Sequence, residues 1–269
     1  MTERLRMQVG GTTWAVRVAG HGRPILFLHG FSGSGLSWAG VAGLGRRARA
    51  IVPDLPGHGG TGWERASVEQ TADDLATIVR SLGAPHVDVV GYSMGARVAL
   101  RLVVAHPETV GRLVLESPSA GIADPVARAE RAAADAERAR LVVTEGIEAF
   151  ATRWEAEPVL AGEAALPGEA RAHQAAIRRS HAPLGLAASL VYAGQGAMEP
   201  LHDRLAAIVA PALVVIGADD PARHRAEEVA AAIPGARLAL VAGAGHAPHL
   251  ERPDRFHALL FDFLTETAA

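Results

Sequence analysis

Cysteine, lysine and asparagine are all absent from this 269-residue chain, so its 26 basic residues are all arginine. Each absence removes a class of chemistry. Without Cys there is no thiolate nucleophile, disulfide, thiolate-bound zinc or iron–sulfur cluster. Without Lys there is no pyridoxal Schiff base and no P-loop lysine, and without Asn no N-glycosylation acceptor. The gaps in Lys and Asn, beside abundant Ala, Arg and Gly, fit the codon bias of a GC-rich genome, since selection for heat stability would tend to keep Lys. No window reaches the roughly 18 uninterrupted apolar residues of a membrane span, and residues 1–6 lead into no apolar stretch. A cytoplasmic protein is expected. The formal net charge is −3 and no basic run stands apart from neighbouring acids, so no nucleic-acid footprint is visible.

What is present is a core-forming composition, 49% hydrophobic and 20% charged, in a chain long enough for one large or two small domains. Residues Leu5 to Val18 form two short alternating runs broken by Gly10 and Gly11, the pattern of a hairpin. Six apolar runs too short for buried helices follow: Ile25 to Leu28, Ala50 to Val52, Val87 to Val90, Leu113 to Leu115, Leu213 to Ile216 and Leu238 to Val241. Each reads as a strand buried on both faces. Helix-period segments lie between them, at Ser67 to Leu82, Gly95 to Ala105, Ala222 to Ile233 and Pro253 to Leu264. Alternation of this kind predicts an α/β fold, a mostly parallel twisted sheet with helices on both faces. Residues 124–195 break the rhythm with helical composition and no convincing strand. They are expected to form a helical lid inserted in a core of residues 1–123 and 196–269.

The chemistry begins at Gly91-Tyr92-Ser93-Met94-Gly95, a G-x-S-x-G motif between a buried strand and a helix. Such a turn projects the serine hydroxyl above the sheet as a nucleophile. A serine needs a base and the base an orienting acid, in the chain order Ser, Asp or Glu, His. His246 follows a late strand within a glycine loop and is the candidate base, with His249 as runner-up. Asp219 and Asp220 follow the preceding strand; Asp220 is the preferred acid, and the other would cap a helix before Pro221. After the strand Ile25 to Leu28, the backbone N–H of Phe31 can complete an oxyanion hole with that of Met94. Asp54 and His58, in the loop after the next strand, could be a second acid–base pair or a structural loop. Arg97 lies four residues after Ser93, one helical turn on, so it shares the elbow's face. A guanidinium there is odd for an esterase of neutral substrates, and it either meets a substrate carboxylate or is neutralised by a neighbour such as Asp54.

These motifs resemble the α/β-hydrolase superfamily: the elbow, the His29-Gly30-Phe31 loop, the Asp54-Leu55-Pro56-Gly57-His58-Gly59 loop and the late Asp and His. A finer resemblance joins these to Arg128 and Arg131, to Trp154 with Pro158, and to His246 followed by His249-Leu250-Glu251-Arg252-Pro253. It is to the 2-succinyl-6-hydroxy-2,4-cyclohexadiene-1-carboxylate synthases of menaquinone biosynthesis, lyases on a hydrolase fold. The resemblance implies a triad of Ser93, Asp220 and His246 that abstracts a proton beside a carbonyl and eliminates pyruvate. The substrate it implies, 2-succinyl-5-enolpyruvyl-6-hydroxy-3-cyclohexene-1-carboxylate, carries three carboxylates. The resemblance places Arg97, Arg131 and Arg178 or Arg179 on that anion, with Tyr92 and Trp154 as further pocket residues. Ala96 stands where a glycine is usual, and Arg223-His224 replaces a more usual Lys-Phe. No cofactor or metal is expected, and the expected partner is a small polycarboxylate. A serine hydrolase of carboxylic esters or C–C bonds is the alternative. A non-catalytic ligand receptor has little support, because every catalytic element is present.

Overall fold

The computed structural model describes residues 2–44 and 48–266; residues 1, 45–47 and 267–269 of the expected core lie outside the described residues. Eight strands form one sheet in the order β1-β2-β4-β3-β5-β6-β7-β8. They are β1 (Thr2–Val9), β2 (Thr12–Gly20), β3 (Arg23–Leu28), β4 (Ala48–Pro53), β5 (Val87–Tyr92), β6 (Val110–Glu116), β7 (Ala212–Gly217) and β8 (Arg237–Val241). The β1–β2 hairpin is antiparallel, as its alternating pattern predicts, β2 pairs antiparallel with β4, and every later pairing is parallel.

Period-two alternation divides each central strand between two helical layers. On one face Leu26, Leu28, Val89, Leu115 and Val214 pack with α1 (Val68–Ser81) and α2 (Met94–Ala105). On the other, Ile25, Phe27, Val90, Val114 and Val215 meet Phe256, Leu260 and Phe263 of the C-terminal helix. The expectation of burial on both faces fails at the edge: Leu238 and Leu240 are exposed on β8, the edge strand of the sheet.

Between β6 and β7 the chain leaves the sheet for the lid helices α3 (Pro125–Glu155), α4 (Gly168–Arg179) and α5 (Pro183–Ala193). Asp124 caps α3 by accepting from Ala127 N at 2.7 Å, with Pro125 at the first helical position. The α3 range holds two helical stretches that meet at Gly146, whose φ of 83° and ψ of 174° are non-helical, a backbone state that glycine reaches without Cβ strain. Phe150, Val142, Leu186 and Leu190 give the lid its own apolar cluster. From Met198 the chain rejoins the main core through Leu201, Leu205 and Ile208. After β7 come α6 (Arg223–Ala232), α7 (Pro248–Glu251) and α8 (Pro253–Thr265).

The lid is tied to the sheet by a row of buried histidines packed edge to face, with ring centroids 5.1 Å apart for His29 and His58 and 5.2 Å for His58 and His181. Each ring accepts a backbone N–H. His29 Nε2 takes Leu55 N at 2.8 Å, His58 Nε2 takes Ser32 N at 3.1 Å, and the lid's His181 Nδ1 takes Gly59 N at 3.1 Å. An accepting ring nitrogen means a neutral imidazole, so protonation would turn a donor against a donor. Burial, the leading cause, holds all three below their ordinary value, His29 at about 4. Asp54 and His58 are therefore no acid–base pair: the carboxylate is taken by Arg17, Gly35 N and Gly60 N.

The unfolded chain protonates these imidazoles near 6.5, whereas folded His29 resists until about 4. Stability is therefore complete above pH 6.5 and falls as the pH drops below it. Urea midpoints should decline between about pH 7 and 5, ahead of ordinary carboxylate titration. His181→Ala should flatten that slope, and a level midpoint across the interval would contradict neutral buried rings.

Candidate active site

Ser93 sits between β5 and α2 with φ 51° and ψ −104°, so the strain of the turn is carried by the serine itself. Its glycine neighbour supplies room rather than conformation: a Cβ on Gly95 would run into the Leu28 carbonyl oxygen. The loop after β3 packs tightly against the residue before the serine, for a Cβ on Gly30 would lie 2.6 Å from the Tyr92 ring, and it reaches ordinary contact distance, 3.5 Å, from Ser93 Cβ. The backbone of Phe31 and the N-terminus of α2 at Met94 thereby flank the hydroxyl, and both residues line the cavity beside it.

His246 joins the two other predicted members. Its Nε2 lies 2.9 Å from Ser93 Oγ and its Nδ1 2.6 Å from Asp220 Oδ2. The Asp220 side chain is fully buried, which raises a carboxyl pKa, yet the His246 hydrogen bond and charge, the Ala222 amide and Arg225 outweigh burial and hold it low. An ionised Asp220 accepts from Nδ1–H, which leaves the Nε2 lone pair facing the serine proton. Asp219 is exposed and does not make the helix cap expected of it: the N-cap of α6 is Ala222, with no side-chain cap hydrogen bond, and the Ala222 amide donates to Asp220 Oδ1 at 2.7 Å. His249 does not compete for the serine. It donates from N and Nδ1 to one oxygen of the buried Glu116, behind Tyr92.

Glu251 holds the base in place. Its two carboxylate oxygens accept from Gly245 N at 2.6 Å and Ala247 N at 2.9 Å, the amides on either side of His246, while Ser117 Oγ donates to the His246 carbonyl at 2.6 Å. In the sequence Glu251 stands out only as part of the His249-Leu250-Glu251-Arg252-Pro253 run that follows His246.

The cavity in front of Ser93 has a volume of about 380 Å³. Tyr92 and Trp154 line it, Trp154 edge-on to Phe31 with centroids 5.1 Å apart. Burial, reinforced by Glu116, pushes the Tyr92 hydroxyl well above its ordinary value, so it is a neutral phenol. Arg97 is 7% exposed and bonds only to the Ala193 carbonyl at 2.7 Å and Met198 Sδ at 3.8 Å. Neutralisation by Asp54 does not occur, because Asp54 is bound to Arg17. Burial, then Arg131, pulls the Arg97 guanidinium down to about 10, and it stays charged at neutral pH. Arg131 also lines the cavity, paired with Asp135 at 2.9 Å. Arg178 and Arg179 do not reach it. Arg178 is bound by Glu163 and Glu155, and Arg179 by Glu155 and Glu148, so the lid's own acids hold both away. Arg138 and Arg225 line the cavity unforeseen, since each reads in sequence as one charge on a helix surface.

Asp220→Asn should slow turnover by on the order of 10³- to 10⁴-fold through loss of the His246 tautomer, with little change for Asp219→Asn. A larger effect at Asp219 would reverse the assignment. Glu251→Ala should lower kcat with a shifted acidic limb of the pH profile, because the imidazole loses its fixed position; an unaltered profile would reduce Glu251 to a loop brace.

Residues 25–259 match the alpha/beta hydrolase family. A putative 2-succinyl-6-hydroxy-2,4-cyclohexadiene-1-carboxylate synthase of Bacillus subtilis is 34% identical over 246 residues, 90% of each chain. The structure of MenH from S. aureus superposes with a TM-score of 0.88 at 29% identity, covering 93% of this chain and 97% of that one. A thermophilic esterase from Thermogutta terrifontis, solved with malate bound, superposes with a TM-score of 0.87 at 26% identity, covering 97% and 98%. The chain belongs to the alpha/beta hydrolase family.

Proposed function

We propose that this enzyme eliminates pyruvate from 2-succinyl-5-enolpyruvyl-6-hydroxy-3-cyclohexene-1-carboxylate to give 2-succinyl-6-hydroxy-2,4-cyclohexadiene-1-carboxylate. The observation that carries the reading is Arg97: a buried guanidinium with no carboxylate partner among the described residues, in the wall of the cavity that Ser93 faces. Desolvating an unpaired cation is costly, and a substrate carboxylate would offset that cost. The names of the Bacillus subtilis and S. aureus relatives support the same reading.

In this mechanism Ser93 Oγ passes its proton to His246 Nε2 and takes the proton from the ring carbon beside the succinyl carbonyl. Asp220 stabilises the imidazolium. Charge developing on the carbonyl oxygen meets the amides of Phe31 and Met94. The electron pair moves through the ring, forming the diene and breaking the C–O bond; the enolpyruvyl group leaves as an enolate and takes the proton held on His246 to become pyruvate, which restores the neutral imidazole. Arg97 and Arg131 hold substrate carboxylates, and Tyr92 and Trp154 shape the wall. The same Ser93 and amides also suit acyl transfer, and the likeness to the esterase keeps a carboxylic-ester hydrolase as the second reading.

Pyruvate release from the tricarboxylate, compared with turnover of a simple aryl ester, decides between the two. Ser93→Ala and His246→Ala should each abolish most turnover, and the double variant should be little worse, since the members act as a unit. A serine variant keeping more than roughly a tenth of the wild-type rate would sink the nucleophile assignment. Arg97→Ala should cost about 1.5 to 3 kcal/mol on the tricarboxylate, or about 10- to 150-fold in kcat/KM, and far less on a neutral ester. Arg97→Lys should recover only part of it. Equal losses on both substrates would make Arg97 structural.

A further inference from the structure

Gln195, just beyond α5 in the lid, accepts two guanidinium hydrogen bonds on one oxygen. Its Oε1 lies 2.7 Å from Arg131 Nη1 and 3.1 Å from Arg225 Nη1. Arg131 comes from the lid helix α3 and Arg225 from the first turn of α6 in the core, so cations from both parts converge on one neutral amide oxygen. Arg131 has Asp135 as counter-ion, but Arg225 makes no other side-chain hydrogen bond among the described residues. Arg97, nine-tenths buried and without a carboxylate, lies close enough to be depressed by both of these guanidiniums. Four arginines in this cavity wall, Arg97, Arg131, Arg138 and Arg225, face two carboxylates other than Asp220, namely Asp135 and Glu157. The excess positive charge is gathered around Gln195.

An amide oxygen carries only a partial charge. A carboxylate oxygen in the same place would meet the same two donors with full charge, adding ion-pair attraction to bonds whose donors are already charged. We propose that the Gln195 Oε1 position is a carboxylate subsite, where Arg225 and Arg131 receive one carboxylate of a polycarboxylate substrate when the Gln195 side chain turns aside. Arg225 is then the residue that selects polycarboxylates over monocarboxylates. This rests on the polyanionic substrate proposed above, but it can fail or hold separately from the elimination.

Thermal melts at fixed ionic strength, with succinate as the dicarboxylate probe and propionate as the monocarboxylate control, test the subsite without any turnover. Succinate should raise the wild-type melting temperature by binding the folded state, and propionate should do so much less. Arg225→Gln should weaken apparent succinate affinity by roughly 10- to 150-fold. Gln195→Glu should raise the unliganded melting temperature and remove the succinate shift, since its own carboxylate fills the place. Gln195→Ala should leave succinate binding intact or stronger; a structural latch between lid and core would instead lower the unliganded melt and leave succinate unaffected in every variant. The unliganded melts report whether each variant folds. No succinate shift in the wild type, or an undiminished one in Arg225→Gln, overturns the subsite. A wild type that releases no pyruvate yet binds succinate through Arg225 overturns the elimination and keeps the subsite.

Discussion

His246 must hold Asp220 with one nitrogen and Ser93 with the other, and those partners come from strands far apart in sequence. Both bonds exist because the carboxyl ends of β5, β7 and β8 finish level. Tyr92 pairs with Glu116, Glu116 with Val215, and Gly217 with Val241, so a parallel register running across the sheet delivers Ser93, Asp220 and the His246 loop to one rim. A slip of one residue in any of these pairings would turn every side chain of that strand to the wrong face. The apolar alternation of the central strands, which feeds both helical layers, therefore guards the site as well as the core.

Around that register the backbone is locked by polar groups with no freedom to relax. Ser93 N donates to Glu116 O, and Glu251 grips the two amides beside His246. His29, His58 and His181 each bond a backbone amide between the loops that surround the serine. A strained residue such as Ser93 persists only where its surroundings over-determine it, and this mesh of buried bonds supplies that determination. The lid shares in it through His181, which bonds Gly59 N and Ser32 O, so the covering helices and the loop after β3 form one bonded unit.

The cavity's charge comes from how acids and arginines are distributed between lid and core. Arg178 and Arg179 are consumed by Glu148, Glu155 and Glu163, and Arg17 by Asp54, leaving Arg97 and Arg225 without carboxylate partners among the described residues. Under the proposed function, such a pocket would take an anion with several carboxylates, since a neutral ligand would leave those guanidiniums desolvated and uncompensated.

Sequence alone determined the strand and helix alternation, the elbow at Ser93 and the pairing of late strands with Asp220 and His246, because period and turn chemistry are local properties. It also settled that any permanently charged cationic side chain at the site is arginine, lysine being absent. The choice among lid arginines was not local. Arg178 and Arg131 look alike in sequence, and only the fold sets Glu163 against the one and the cavity against the other. The same holds for Gln195, Arg225 and Glu251, each an ordinary polar residue on a helix or loop until chain folding brings its partner to it. Charge pairing across elements depends on distances between residues remote in sequence, and those distances are created by the packing of the lid on the sheet.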